Sequence, residues 1–301
     1  MGLQSDQTLK VGIITPVLTL LPRAHASWEA TGTIDDVRAI AVAADDLGVH
    51  HLTCSEHIAI PTQVAKERGA RYWDPLATFG YLAAHTSRIK FATHVLVLGY
   101  HHPLEIAKRY GTLDQITTGR VVLGVGVGSL REEFTLIDAP FENRGERGDD
   151  ALRALRAAFG VTTPSYSGTH YTFDDLVVDP AGLQQNVPIW VGGRTARSLR
   201  RSVDYGDGWA PFGLSTMQIA TMLDEAKRTE AWSSRAYDIE VWLQPERPLD
   251  PAGDAAGTLA ALEAMQLGGA TGINVRLRHS SRDQYIEQLT ALCELVARPV
   301  G

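Results

Sequence analysis

An alternation of short apolar runs with amphipathic helical segments, repeated about eight times, constrains this 301-residue sequence more than any other feature. The apolar runs occupy residues 11–18, 51–55, 89–98, 121–127, 188–191, 208–212, 239–243 and 273–277. Several runs are apolar throughout, which is typical of parallel strands that are covered on both faces. Repeated β-then-α units therefore predict a parallel sheet surrounded by helices.

The number of units favours a (β/α)8 barrel of the α/β class over a doubly wound open sheet, which is built from the same unit. A barrel of this length commonly forms one domain, and we expect residues 1–301 to do so. Residues 160–186 interrupt the alternation. They are rich in Gly, Ser, Thr and Pro, and Tyr171 and Phe173 stand two residues apart, as in a strand. We therefore expect an insertion with a hairpin after the fourth strand.

The charge balance and the cysteines argue against several classes of protein. With 28 basic and 35 acidic residues the formal net charge is −7, which disfavours a nucleic-acid partner because phosphates attract a basic face. Cys54 and Cys293 form no CxxC pair, and no histidine spacing indicates a metal site, so we expect no metal. No run of about 18 apolar residues and no secretion signal occurs, which predicts a cytoplasmic protein without membrane contact.

In a barrel of this kind the loops after the strands carry the active site. Gly124, Gly126 and Gly128 alternate with valines in the fourth strand, and a glycine inside a strand usually marks a close approach to the backbone. The pattern predicts either a flat wall for a planar ring or tight packing.

A glycine pair also follows the fifth strand. Gly192 and Gly193 lead through Arg194 to Thr195, which is a residue type that begins helices. Free N–H groups and the positive end of a helix then point at one spot, which predicts a cradle for a phosphate or a carboxylate. Two further arginines follow at helical spacing, at Arg197 and Arg201. The alternative is an ordinary turn with solvated arginines.

His57 follows Glu56 at the end of the second strand, a place where an imidazole can transfer a proton. The alternative is a structural histidine. No GxSxG motif occurs and neither cysteine has an evident basic partner, so nucleophilic hydrolysis is not predicted. Aromatic residues near the expected mouth predict a pocket for a small-molecule substrate, with Trp28 and Trp209 as the main candidates and Tyr72, Trp73, Tyr100 and Phe212 as others.

Over nearly its whole length the sequence resembles the luciferase-like monooxygenase superfamily, and within it the F420-dependent oxidoreductases. The segments that carry the resemblance are Ser55-Glu56-His57, residues 91–98, His102-Pro103, Leu113-Asp114, Gly119-Arg120, residues 124–134, residues 188–193 and residues 206–209. Each segment is short, but their order and spacing together are specific.

The resemblance implies a barrel with an insertion after the fourth strand and a tricyclic ring at the C-terminal mouth. In such proteins a bulge and a non-prolyl cis peptide in the third strand support the ring, the glycine strand contacts the ring or its side chain, and the second glycine turn holds the phosphate. The residues at these family positions are His94, Val95, Gly126, Gly128, Gly192, Gly193, Arg194 and Thr195.

Some relatives have an acid–histidine pair after the second strand, in which the histidine transfers a proton, and Glu56 and His57 match it. Sugar-phosphate dehydrogenases of this family instead use a glutamate directly after the glycine motif. This chain has Ser129 there, which argues against that activity, and Glu132 and Glu133 further on are the alternative positions for such an acid. The family resemblance also implies a homodimer.

Three functional hypotheses follow. The first is an oxidoreductase that transfers a hydride between coenzyme F420 and an unidentified organic substrate. The second is a monooxygenase of the same fold that uses reduced FMN and oxygen, and no motif separates it from the first. The third is a non-catalytic F420- or flavin-binding protein, which the presence of His57 beside the glycine strand disfavours.

Overall fold

The structure, a computed structural model, describes residues 9–22 and 24–297. Its strands are β1 (Lys10–Ile13), β2 (His51–Cys54), β3 (Lys90–Thr93), β4 (Leu96–Val97), β5 (Val121–Gly126), β6 (Tyr166–Ser167), β7 (Thr172–Phe173), β8 (Ile189–Gly192), β9 (Gly208–Ala210), β10 (Glu240–Leu243) and β11 (Gly272–Val275). Its helices are α1 (Ile34–Asp46), α2 (Thr62–Arg68), α3 (Pro75–Ala83), α4 (Pro103–Thr117), α5 (Arg131–Leu136), α6 (Arg144–Ala158), α7 (Ala196–Tyr205), α8 (Thr216–Lys227), α9 (Glu230–Ser233), α10 (Ala255–Leu267) and α11 (Arg282–Ala297). Short 3₁₀ helices cover Ser27–Ala30 and Leu98–Tyr100.

The parallel strands close into a ring. Around the ring the order is β1, β2, β3, β5, β8, β9, β10 and β11, and β11 pairs with β1 again. β4 continues the third position after a break and also pairs with β5. The predicted (β/α)8 barrel is therefore confirmed, and the open sheet is not. The predicted insertion after the fourth barrel strand is confirmed as well, because it contains the antiparallel hairpin of β6 and β7.

Side chains fill the barrel near the starts of its strands. Ala92, Val122, Trp190, Ala210 and Trp242 form a separate buried cluster inside the ring. The ring centroids of Trp190 and Trp242 lie 4.6 Å apart, and both indole N–H groups donate to one carboxylate oxygen of Glu240. This end of the barrel is thus packed, and the loops at the other end are where a barrel of this kind binds its ligand.

Glycines on neighbouring strands make room for the two indoles. A Cβ on Gly208 would lie 2.5 Å from Trp190 Cδ1, and a Cβ on Gly272 would lie 2.4 Å from Trp242 Cζ3. Both distances are shorter than side-chain carbons tolerate, so the large interior residues require glycine at the starts of β9 and β11.

The third strand position is broken between β3 and β4. The peptide bond between His94 and Val95 is cis, as the family resemblance implies. Gly124 of β5 lies against the break, where a Cβ would stand 1.9 Å from the carbonyl oxygen of Thr93. The Thr93 hydroxyl in turn donates to the Gly124 carbonyl at 2.7 Å. Residue 124 must therefore be glycine for β5 to accept its broken neighbour.

Several elements differ from the sequence expectations. The first apolar run forms a strand only as far as Ile13, and Val17 further on adopts a left-handed φ of 73°. The helical stretch expected from residue 215 to 232 is divided into α8 and α9, because the Thr229 hydroxyl caps a new helix by accepting the Trp232 N–H. Within residues 9–22 and 24–297, no helix has the length and apolar character needed to cross a bilayer.

Gly124→Ala is expected to destabilise the barrel strongly, because its methyl group would overlap a backbone carbonyl that no side-chain rotation can move. Overpacking a core costs about 1–3 kcal/mol, and a backbone clash of this kind belongs at the upper end or beyond. Gly80→Ala in α3 is the matched control. Nothing lies within 4 Å of its Cβ position, so the free energy of unfolding should hold or rise by about 1 kcal/mol. Urea unfolding measures both variants, and equal stabilities would contradict the packing described.

Candidate active site

The mouth of the barrel brings together polar side chains that are far apart in the sequence. His57 follows β2, His94 follows β3, Glu133 lies in α5 beyond β5, Gln244 follows β10 and Arg276 follows β11. Parallel strands in a closed ring end at the same rim, and for this reason the loops that follow them meet there.

His57 is held by Glu133. The Nδ1 atom of His57 lies 2.7 Å from Glu133 Oε2, and the same oxygen accepts the Tyr100 hydroxyl at 2.6 Å. The other oxygen accepts the backbone N–H groups of Ile58 and Ala59, at 2.5 and 3.2 Å. Burial acts to raise the pKa of Glu133, but the hydrogen bonds from His57, Tyr100 and the backbone outweigh it and lower this pKa.

An ionised Glu133 can only accept hydrogen bonds, so the hydrogen of a neutral His57 is on Nδ1. The Glu133 side chain is fully buried, whereas 19% of the His57 side chain is exposed. His57 is thus oriented through one nitrogen and keeps Nε2 for proton exchange.

Glu56 does not pair with His57, although the two are neighbours in the sequence. Its Oε1 lies 2.7 Å from His101 Nε2, and its Oε2 accepts the backbone N–H of Val97 at 2.7 Å. Successive residues of an extended chain point in opposite directions, so Glu56 turns towards the third strand position and His57 towards α5. The interpretation of Glu56 and His57 as one acid–histidine pair is therefore corrected: the acid that contacts His57 is Glu133, and Glu56 positions the loop after the third strand.

His94 stands at the break in the third strand position. Its Nε2 lies 2.8 Å from Gln244 Nε2, and its carbonyl accepts the Ser55 hydroxyl at 2.8 Å. Burial, and then the positive charge of Arg276, lower the pKa of His94 to about 4. His94 is consequently neutral near pH 7, and its Nε2 accepts a hydrogen from the Gln244 amide.

Val95 fills the space that two of the predicted site glycines leave. A Cβ on Gly126 would lie 2.8 Å from Val95 Cγ2, and one on Gly192 would lie 2.7 Å from Val95 Cγ1. Gly128, with a φ of 76°, lies in the same way against the ring of Phe134, at 2.6 Å. The partly exposed group between these strands is thus the Val95 side chain, which supports the packing interpretation of these glycines, and their contact with a cofactor stays a prediction.

The first turn of α7 carries backbone donors without acceptors. Thr195 caps the helix: its hydroxyl accepts the Ser198 N–H at 3.3 Å, and Ser198 Oγ accepts the Thr195 N–H at 3.2 Å. In the described part of the chain the backbone N–H groups of Arg194, Ala196 and Arg197 donate to no group, and all three residues are exposed. The start of α7 therefore offers N–H groups and the positive helix end to an anion.

The glycine and the arginines around this turn have different roles. Gly193 adopts a φ of 126°, and a Cβ there would lie 2.8 Å from the Cβ of Ser198, so the turn requires glycine. Arg194 is exposed beside the turn. Arg201 is buried instead, and its guanidinium binds the Asp149 carboxylate and the Gly145 carbonyl. The expectation that Arg201 extends the positive field of the cradle is therefore wrong.

The two tryptophans expected in a substrate pocket lie in different places. Trp28 Nε1 donates to His279 Nδ1 at 2.9 Å in the loop region after β1. Trp209 is fully buried, and its Nε1 donates to Ser198 Oγ under α7. Ala210 of β9 faces the barrel interior, so the side chain before it faces the helix layer. Trp209 thus does not reach a pocket at the mouth, while Trp28 stays a candidate.

Tyr100, His101 and Gln244 complete the site although no motif marks their pairing. Each follows an apolar run, which is the signal that places them at the rim. Their partners are distant in sequence: 45 residues separate Glu56 from His101, and 150 separate His94 from Gln244. No local spacing reveals contacts of this kind.

The family model of the luciferase-like monooxygenases matches residues 15–289, and the chain belongs to this family. An uncharacterised protein of Mycobacterium tuberculosis is 30% identical over 219 residues, which are 67% of this chain and 74% of that protein. An F420-dependent glucose-6-phosphate dehydrogenase of Microbacterium testaceum is 30% identical over 189 residues, or 61% of this chain and 54% of that protein. An FMNH(2)-dependent dimethylsulfone monooxygenase of Pseudomonas putida is 31% identical over 166 residues, or 53% of this chain and 45% of that protein.

Solved structures share the fold. An F420-dependent secondary alcohol dehydrogenase in complex with an F420-acetone adduct superposes with a TM-score of 0.74 at 14% identity, covering 97% of this chain and 100% of the other. The FMN-bound oxygenating constituent of 3,6-diketocamphane monooxygenase from Pseudomonas putida superposes with a TM-score of 0.71 at 16% identity, covering 96% and 98%. The family therefore contains oxidoreductases and monooxygenases that use a deazaflavin or a flavin.

The His101–Glu56 pair is expected to stabilise the fold in a pH-dependent way. Burial acts to lower the pKa of His101, but the hydrogen bond and charge of Glu56 raise it above the ordinary value of 6.5. The folded protein then binds more protons than the unfolded chain above pH 6.5, so this stabilisation is complete below that pH and is lost as the pH rises through the folded pKa.

His101→Asn removes this contribution, so the stability difference between wild type and variant should shrink as the pH is raised from below 6.5. Urea unfolding at a series of pH values measures the difference. His85→Asn, at an exposed histidine, is the control for the substitution itself. A constant difference for His101→Asn would show that the pair does not titrate in this way.

Proposed function

We propose that this protein transfers a hydride between coenzyme F420 and a small organic substrate. The His57–Glu133 pair carries the proposal. Reduction of a carbonyl carbon by hydride requires a proton for the carbonyl oxygen, and the reverse reaction removes both, so such chemistry needs an oriented acid–base group at the site. The F420-named dehydrogenases among its relatives and structural neighbours support the choice of cofactor class.

The start of α7 fits the anionic tail of such a cofactor. The unpaired backbone N–H groups of Arg194, Ala196 and Arg197 would hold it, with the Arg194 guanidinium adding positive charge. Val95 and His94, at the break in the third strand position, would support the ring. When bound in its reduced form, F420 supplies the hydride.

His57 manages the proton in this proposal. The Glu133 carboxylate orients Nδ1 and stabilises the protonated imidazole, while Tyr100 and the backbone of the following loop hold Glu133 in place. Nε2 of His57 then gives a proton to the substrate oxygen, or takes one from it. His94 positions the site and does not exchange protons, because its low pKa keeps it neutral.

The second candidate is a monooxygenase that uses reduced FMN and oxygen. The same unpaired donors at α7 suit the phosphate of FMN, and relatives named for FMN have the same fold. A non-catalytic cofactor-binding protein is disfavoured, because such a protein has no need of a buried carboxylate that orients a partly exposed imidazole. The homodimer and the cytoplasmic location stay predictions.

Fluorescence titration of the apo-protein with F420 and with FMN, side by side, tests the cofactor. Tight binding of F420 with weak binding of FMN is expected, and the reverse would favour the monooxygenase.

Arg194→Gln should weaken the binding of whichever cofactor the wild type binds about tenfold, because hydrogen bonds to charged groups contribute about 1.5–3 kcal/mol. Arg200→Gln, on an exposed part of α7 with a 4.0 Å contact to Asp204, is the control and should bind normally. Failure to bind either cofactor would contradict the cradle.

His57→Asn is expected to lower kcat for the substrate reaction by about 10²–10⁴, the usual contribution of a general acid or base. The cofactor dissociation constant should not change, because His57 lies away from the α7 cradle in this assignment. Glu133→Gln should give a smaller loss and shift the pH profile of kcat, since it removes the charge that orients His57. An unchanged kcat in His57→Asn would remove His57 from the reaction.

A further inference from the structure

A pocket at the mouth contains hydrogen-bond donors that have no acceptor. It has a volume of about 80 Å³ and lies at the carboxyl ends of β1, β2 and β11. A space of this size holds several water molecules or the polar head group of a small ligand. Its polar lining consists of Thr15, Thr19, Glu29, Thr53, Arg276, His279 and Tyr285.

This pocket lies across the barrel from the proposed cofactor cradle. In the closed ring, β1 stands opposite β8 and β11 stands opposite β5. The cradle begins directly after β8. The broken third strand position, which would support the cofactor's ring system, pairs with β5. A group bound in the pocket therefore approaches the centre of the mouth from the side that the cofactor does not use.

Arg276 is the charged donor of the pocket. Its side chain is partly buried, and in the described part of the chain its guanidinium makes no hydrogen bond and no ion pair. Glu29 is the carboxylate whose charge acts on it most, but the Glu29 oxygens accept the backbone N–H groups of Val17 and Ala26 at 2.9 and 2.7 Å. The Glu29 oxygens are thus already hydrogen-bonded within their own loop, and the Arg276 guanidinium is left without an acceptor among the described residues.

Tyr285 is the second donor. It is 1% exposed, lines the same pocket, and its hydroxyl has no hydrogen-bond partner within residues 9–22 and 24–297. Burial raises the pKa of Tyr285, so the hydroxyl keeps its hydrogen and remains a donor. A buried hydroxyl without a partner costs free energy, which makes it a position where a ligand oxygen is favoured.

We propose that Arg276 and Tyr285 bind an oxyanion of the substrate, a carboxylate or a sulfonate. This inference rests on the proposed function in one respect, namely that the bound molecule is the substrate of the same mouth. A planar guanidinium pairs with two oxygens of such a group at once, and the Tyr285 hydroxyl donates to one of them. The competing explanation is structural: Arg276 balances the Glu29 charge through space, and the pocket holds only water.

Calorimetric titration of the full-length apo-protein with benzoate, benzenesulfonate and the neutral benzamide tests the proposal. Benzoate or benzenesulfonate should bind and benzamide should not, and comparison of the two anions identifies which head group fits. Arg276→Gln should weaken anion binding by about tenfold or more, and Tyr285→Phe by about threefold or more, as expected for hydrogen bonds with and without a charged donor. Arg247→Gln, at an exposed arginine in the loop after β10, and Tyr237→Phe, at an exposed tyrosine, are the matched controls and should bind as the wild type does.

Thermal unfolding of the same variants separates binding from a structural role. Removal of an unpaired buried donor should leave the Tm unchanged or raise it, whereas a structural Arg276 that balances Glu29 would make Arg276→Gln less stable. A lower Tm together with unaltered anion binding, or failure of both anions to bind the wild type, would overturn the proposal.

Cofactor titration of Arg276→Gln distinguishes this inference from the proposed function. Normal binding of F420 or FMN with loss of anion binding supports a substrate subsite. Loss of cofactor binding with anion binding retained would assign Arg276 to the cofactor and refute the inference. If the wild type binds anions through Arg276 and Tyr285 but neither cofactor, the oxyanion site stands and the proposed function fails.

Discussion

The approach of β5 to the break in the third strand position is the constraint on which the mouth of this barrel depends. With no side chain at Gly124, the Thr93 carbonyl points into β5, and the third position stops at Thr93 and resumes at Leu96. The residues in between leave the regular ladder. His94 turns to Gln244 across the mouth, and Val95 fills the space beside β5 and β8. A Cβ at residue 124 would force the two strands apart and would displace His94 and Val95 at the same time.

Buried carboxylates then hold the loops around that mouth. Glu133, Glu56 and Glu29 each accept at least one backbone N–H from a distant segment of the chain, and Glu133 and Glu56 also contact a histidine at 2.7 Å. A buried charge is tolerated only when hydrogen bonds replace its water, so each carboxylate restricts its loop to arrangements that supply those donors. The active-site loops are thus ordered by electrostatics, whereas the opposite end of the barrel is ordered by the packing of Trp190 and Trp242.

The fold was predictable from sequence because the β-then-α period is a local property. The glycine turn before α7 was predictable because Gly193 and the helix cap Thr195 are close neighbours in the sequence. The partners of the buried acids could not be predicted from the sequence. Glu56 and His57 are neighbours in sequence, yet the chain direction sends one to His101 and the other to Glu133, 76 residues away. Trp209 shows the same limit of sequence-based prediction within a single strand. Its position within the sixth apolar run predicts a side chain at the mouth, but strand parity decides which side it faces, and Ala210 takes the interior.

Histidines near the mouth differ in what they can do with a proton, and the difference follows from their neighbours. Burial and Arg276 lower the pKa of His94 to about 4, and burial lowers that of His279 despite the nearby Glu29, so both stay neutral. His101 has a raised pKa but is engaged by Glu56 at Nε2 and approached by Glu105 at Nδ1, which leaves neither nitrogen for a substrate. His57 has a buried carboxylate at Nδ1, a partly exposed ring and no partner at Nε2 among the described residues. Arg276, which adds to burial in lowering the pKa of His94, is also the cation that lacks an acceptor in the pocket after β11. An anion bound to Arg276 would therefore weaken the electrostatic part of the effect that lowers the pKa of His94, and binding in that pocket would be coupled to the break in the third strand position.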